Sequence, residues 1–148
     1  MSRNETAGQA APVDVSVEPH DQFLADVMAG LASTPKRIPS KYFYDEAGSR
    51  LFDRITELPE YYPTRTEVGI MRQNVRAIAS CLGSNVVLIE YGSGSSTKTR
   101  LILDQLDRDS TYVPIDISGD HLQHTASELA RDYPNLSVIP VHADYSKP

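Results

Sequence analysis

Two glycines and three carboxylates carry the chemistry that the sequence offers. Gly92 and Gly94 lie in the run Val86–Arg100 (VVLIEYGSGSSTKTR), after an apolar segment, Val86 to Ile89, that closes on Glu90. That order predicts a strand, a Gly/Ser turn and a helix starting at Thr97. Such a turn lets backbone approach a ligand closely, and a helix N-terminus presents unpaired N–H groups to it. Asp116 and Asp144 then close two further strand-like segments, Tyr112–Ile115 and Ser137–Val141. Three acidic strand ends favour a neutral or cationic ligand over a triphosphate, because a bare carboxylate a few ångströms from a phosphate is repelled by about 1 kcal/mol or more.

Three readings compete for the turn. A P-loop needs G-x-x-x-x-G-K-[ST]; Lys98 and Thr99 keep register with Gly92, but Thr97 stands where the second glycine belongs. The dinucleotide fingerprint G-x-G-x-x-G fails at the same residue, losing the glycine that allows close helix–strand packing. An S-adenosylmethionine pocket has no pyrophosphate to cradle and is served by Glu90, Gly92 and Gly94 followed by an acidic residue one βαβ unit later. Asp116 fills that place, and its carboxylate can accept from two ribose hydroxyls. Asp144 is placed to accept from an adenine amino group, with Tyr145 beside the ring. Lys98 would sit in the first turn of a helix, where a cation opposes the dipole; a carboxylate partner, such as that of the cofactor's methionine, would resolve the misfit.

The elements that must position these residues follow from periodicity. A tail over residues 1–20, rich in Ala, Ser, Pro and Gln, has no periodic pattern and reads as disordered. Residues 21–84 read as a helical region. A first helix runs from Asp21 towards Pro35, with Phe23, Leu24, Val27, Met28 and Leu31 on one face. The strap Pro35–Asp45 (PKRIPSKYFYD) follows, and then a helix over Ser49–Leu58 stopped by Pro59. Thr64 and Glu67 form a T-x-x-E capping box for a third helix ending at Gly83. Residues 85–148 alternate strand and helix, so the fold class is α/β: N-terminal helices followed by part of a doubly wound, Rossmann-like parallel sheet, with right-handed crossovers. The third strand is the last, which suggests the first half of a cofactor-binding domain and an N-terminal piece of a longer protein.

Composition narrows the partners. The 148 residues carry a net charge of −6 and no Lys/Arg cluster, which argues against a nucleic-acid backbone and for a small molecule. No long apolar run or signal-like N-terminus is present, so neither membrane span nor secretion is expected and cytoplasm is the default. The single Cys81 reads as a buried small hydrophobe. His121 and His124, one helical turn apart, lack a third ligand for a metal and read as a solvated face.

Glu90–Arg100 (EYGSGSSTKTR), Tyr112–Ser118 (YVPIDIS), Lys41–Asp45 (KYFYD) and Leu58–Glu67 (LPEYYPTRTE) together resemble the histidine-specific Nα-methyltransferases of ergothioneine biosynthesis. The resemblance spans about Pro35 to Tyr145. It implies that S-adenosylmethionine is held by Gly92, Gly94, Lys98, Asp116, Asp144 and Tyr145. It also implies that a tyrosine of the E-Y-Y-P block touches histidine: Tyr62 is preferred over Tyr61, with Tyr44 near the site. Repeated methylation of the α-amino group to a trimethylated betaine would follow, with no catalytic side chain nominated. Most of the amino-acid pocket is expected beyond Pro148. The alternatives are an inactive remnant that at most binds the cofactor, and a P-loop-like nucleotide-binding protein. Oligomeric state has no sequence signature.

Overall fold

The computed structural model describes residues 13–14, 20–107 and 109–145. The order is β1 (Val13–Asp14), α1 (His20–Ala32), a 3-10 turn (Ser40–Phe43), α2 (Glu46–Thr56), α3 (Tyr62–Leu82) and β2 (Val87–Tyr91). Then come α4 (Arg100–Leu103), β3 (Thr111–Asp116), α5 (Gly119–Asp132), β4 (Ser137–Val138) and β5 (Val141–His142). Every strand pairing is parallel, in the order β1-β5-β3-β2, with β4 also on β3. The α/β class and the parallel sheet expected from the sequence are therefore present.

Local chemistry sets the helix ends. In α2 the Asp45 carboxylate caps the first turn by accepting from the Gly48 N–H at 2.7 Å, so the helix begins earlier than Ser49. The capping box expected at Thr64 and Glu67 does not form. Helix α3 instead opens at Tyr62 with Pro63 in its first turn, where a missing N–H costs nothing. The strap docks on α1 through an edge-to-face pair, Phe23 and Tyr42, with ring centroids 4.8 Å apart.

Three further expectations are corrected. Val13–Asp14, assigned to the tail, pairs with Val141–His142 and covers that edge of the sheet; the rest of the tail to Pro19 lies outside the described residues. The third strand is split because Pro140 has no N–H to donate, leaving β4 and β5 on either side of it. Cys81 is exposed rather than buried.

The core lies on one side of the sheet. Leu103 of α4 and Leu129 of α5 pack on Tyr112, with Leu88, Leu106, Tyr133, Leu136 and Val138 around them. Alternation along β2 sends Leu88 to that side and Val87, Ile89 and Tyr91 to the other, where they are exposed. Outside this layer α2 packs on α5 and α3, and α3 packs on α4. Among the described residues no helix is long and apolar enough to cross a membrane.

Tyr112 knots the core to the glycine turn. Its ring is fully buried, and its hydroxyl donates to Glu90 Oε2 at 2.5 Å. With that proton committed, Ser96 Oγ is the donor in the 2.9 Å contact with the same hydroxyl. Burial, followed by the charge of Glu90, raises the phenol above its ordinary pKa, so it stays a neutral donor. Tyr112→Phe keeps the ring but strips a partner from both Glu90 and Ser96. It should lower unfolding free energy by about 1–3 kcal/mol, read from the urea midpoint at constant m-value.

Candidate functional site

The strand ends, the strap and α2 enclose a cavity of about 640 Å³. Gly92, Gly94, Asp116 and Ile117 line it from the turns after β2 and β3, and Asp144 and Tyr145 from the chain after β5. Lys41 and Tyr44 of the strap, Ser49, Phe52 and Asp53 of α2, and His121 of α5 complete the wall. It lies at the carboxyl ends of parallel strands, where an open α/β sheet holds its ligand.

Asp116 organises the wall. Its Oδ2 accepts from the Gly94 N–H and its Oδ1 from the Ser118 N–H, each at 2.9 Å. One carboxylate thus ties the turn after β2 to the start of α5. Each oxygen has a second lone pair, so the fixed group can still accept from a diol. Three other amides of the turn are spent inside the fold. Gly92 N–H and Ser93 N–H donate to Ile115 O, and Ser96 N–H to Ser93 O. Nor does a full helix follow the turn: only Arg100–Leu103 is α-helical, in place of the expected Thr97–Leu106. Four turn amides are thus committed within the fold and no full helix N-terminus stands behind them, which weighs against the P-loop reading.

The glycines answer to geometry. Gly92 and Gly94 have φ of +67° and +50°, and a Cβ on Gly92 would meet the Tyr145 hydroxyl at 2.8 Å. Tyr145 in turn stands edge-on to Tyr91, centroids 5.7 Å apart, so a ring is fixed over the turn. Ser93 Oγ is buried there without a hydrogen-bond partner. The lining thus joins a rigid carboxylate at Asp116, a second carboxylate at Asp144 and the aromatic ring of Tyr145.

Six of the eight residues singled out from sequence share the cavity: Gly92, Gly94, Asp116, Asp144, Tyr145 and Tyr44. Two do not line it. Lys98 lies in the turn before α4, exposed, with its ammonium 2.8 Å from Glu67 on α3. The carboxylate it meets is thus Glu67 of this chain, whereas the sequence reading had looked to the cofactor's methionine carboxylate. Tyr62, on the first turn of α3, is 67% exposed. Its neighbour Tyr61, which does not line the cavity either, packs edge-on to the cavity residue Phe52 at 5.9 Å. Arg65 fixes this loop by donating to Leu58 O at 2.7 Å and Pro59 O at 2.6 Å.

His121, Asp53 and Lys41 had been given no role in the site. His121 is only 12% exposed, with Nε2 3.8 Å from Asp53 Oδ2, so it does not belong to a solvated face. His124, 75% exposed, does. Among the described residues no group of three or more His, Cys, Asp or Glu could hold a metal. The missed signal in His121 was its place in the first turn of a helix that leaves an acidic strand end.

A parallel sheet with a glycine turn, an anchored carboxylate after the next strand and a carboxylate–aromatic pair after the third defines a nucleoside-cofactor fold of the methyltransferase class. Residues 23–148 match the family of histidine-specific, S-adenosylmethionine-dependent methyltransferases, and the chain belongs to that family. It is 43% identical over 131 residues to a histidine N-alpha-methyltransferase of Mycobacterium tuberculosis, covering 86% of this chain and 40% of the relative. With a protein of the same name from Mycolicibacterium smegmatis it shares 42% over 126 residues, covering 82% and 39%. The ergothioneine biosynthesis protein 1 of Neurospora crassa is 36% identical over 98 residues, or 64% of this chain and 11% of the relative. The chain thus spans about 40% of the length of the mycobacterial relatives.

Gly92→Ala introduces both a left-handed strain and the contact with Tyr145. It should cost about 1–2 kcal/mol of stability by chemical denaturation. Adding Tyr145→Phe should recover part of that loss, and full additivity of the two changes would show that the contact is absent.

Proposed function

We propose that the protein to which this chain belongs is an S-adenosylmethionine-dependent methyltransferase acting on the α-amino nitrogen of L-histidine. The chain supplies the cofactor half of the site. The observation that carries the reading is the convergence of Asp116, Asp144, Tyr145 and the Gly92–Gly94 turn on one cavity, in a chain matching a histidine-specific family. The names of the mycobacterial relatives support histidine as the amine.

Bound S-adenosylmethionine supplies an activated methyl group on a sulfonium, so no nucleophilic or metal-bearing side chain is needed. The work of this chain is to bind and orient. Asp116, pinned by two backbone amides, takes the ribose diol without having to reorganise. Asp144 takes the adenine amino group, and Tyr145 flanks the base. Tyr44 and Phe52, 6.4 Å apart, with Tyr61 behind Phe52, form an aromatic wall that excludes water on the side facing the strap. Substrate contact is assigned to this wall, through Tyr44 and Tyr61 in preference to Tyr62.

The test is mass spectrometry of full-length protein incubated with S-adenosylmethionine and histidine. Accumulation of the trimethylated betaine is expected, and transfer to other amines but not to histidine would overturn the assignment. Asp116→Ala should weaken binding of the cofactor product by about 1–3 kcal/mol in calorimetry. Unchanged affinity would remove Asp116 from the site.

A further inference from the structure

Among the described residues Lys41 is the one lysine in the cavity wall, and the function just proposed gives it no part. Its Nζ lies 3.4 Å from Asp144 Oδ2 and 3.7 Å from Asp26 Oδ2, so it bridges α1 to the end of β5. Asp26 is held from its own side, accepting from Tyr42 at 2.6 Å and Gln22 at 2.8 Å. The Lys41 ammonium also stands 4.9 Å from the Tyr42 ring centroid. These contacts fix the lysine from several directions. Asp144 is the group that most needs it: its side chain is only 8% exposed, and a carboxylate that far from water requires a counter-charge and a defined orientation. An ammonium on Oδ2 sets the rotation of the carboxylate about its Cβ–Cγ bond.

From this geometry we infer that Lys41 is a positioning residue for base recognition, holding the Asp144 carboxylate in the orientation that selects a 6-amino purine. The inference rests on the reading of Asp144 as the acceptor for the adenine amino group. A 6-amino group donates to a carboxylate so held, whereas a 6-oxo group presents an acceptor to it and is repelled. Selectivity between the two bases then depends on the carboxylate staying where Lys41 holds it. Removing the ammonium takes away the restraint it places on Oδ2, and the penalty on the 6-oxo base falls.

The experiment measures dissociation constants of full-length protein for S-adenosylhomocysteine and its 6-oxo counterpart, S-inosylhomocysteine. The wild type should prefer the amino base by about tenfold or more, the range of one hydrogen bond to a charged group. Asp144→Asn tests the underlying reading, and an unchanged ratio there would overturn the base assignment itself. If that ratio collapses, Lys41→Met decides the inference. A ratio reduced about fivefold or more, with Lys41→Arg close to wild type, supports it, and an unchanged ratio in Lys41→Met overturns it. Asp26→Asn separates positioning from simple docking of the strap, because it alters the α1 contact and leaves Lys41 on Asp144. It should keep the wild-type ratio, and a loss as large as that of Lys41→Met would overturn the inference. Should Lys41→Met lose its far-UV circular dichroism signal, Lys41→Gln takes its place with the same criteria.

Discussion

The site depends on one carboxylate held by two backbone amides. Asp116 receives the N–H of Gly94 from the turn after β2 and the N–H of Ser118 from the turn before α5. Two loops leaving neighbouring parallel strands are thereby locked at a common point in the cavity wall. The same bonds decide what the turn cannot be. An amide that donates to Asp116 is not offered to a phosphate, and its neighbours donate to Ile115 O and Ser93 O. A loop that resembles a phosphate cradle in spelling thus has four of its amides turned to internal acceptors.

Behind that point stands the buried Tyr112, which joins Glu90 at the end of β2 to Ser96 in the turn. Glu90 is thus a structural acceptor at the base of the turn, and it does not line the cavity. The acidic strand ends, alike in sequence, divide into three tasks: Glu90 anchors the turn, Asp116 ties two loops together, and Asp144 meets a cation from the strap. The strap itself docks on α1 through Phe23 and Tyr42, so the helices that precede the sheet become part of the wall.

Much of this was legible because it is local. The apolar run before Glu90, the glycines and the acidic strand ends fix a parallel βαβ plan within short stretches of chain, and six of the named residues meet in one cavity. What was not legible depended on partners distant in sequence. Lys98 was assigned by its place in a helix that proved too short, and Glu67, which takes its ammonium, lies on α3. The exposure of Tyr62 on the first turn of α3, and the packing of Tyr61 on Phe52, likewise depend on contacts between elements. Neither the KYFYD block that holds Lys41 nor the His121–His124 spacing pointed to the site; the packing of α2 and the strap over the strand ends brings both residues to the cavity. Val13–Asp14 is too short a strand for any periodicity to reveal.

The central claim is that the glycine turn serves a nucleoside bearing no phosphate. Competition calorimetry on the full-length protein tests it most directly, by titrating S-adenosylhomocysteine in the presence and absence of a large excess of magnesium ATP. Binding of S-adenosylhomocysteine with an affinity that ATP leaves unchanged is the predicted result. Displacement by ATP, or failure of S-adenosylhomocysteine to bind at all, would contradict the account.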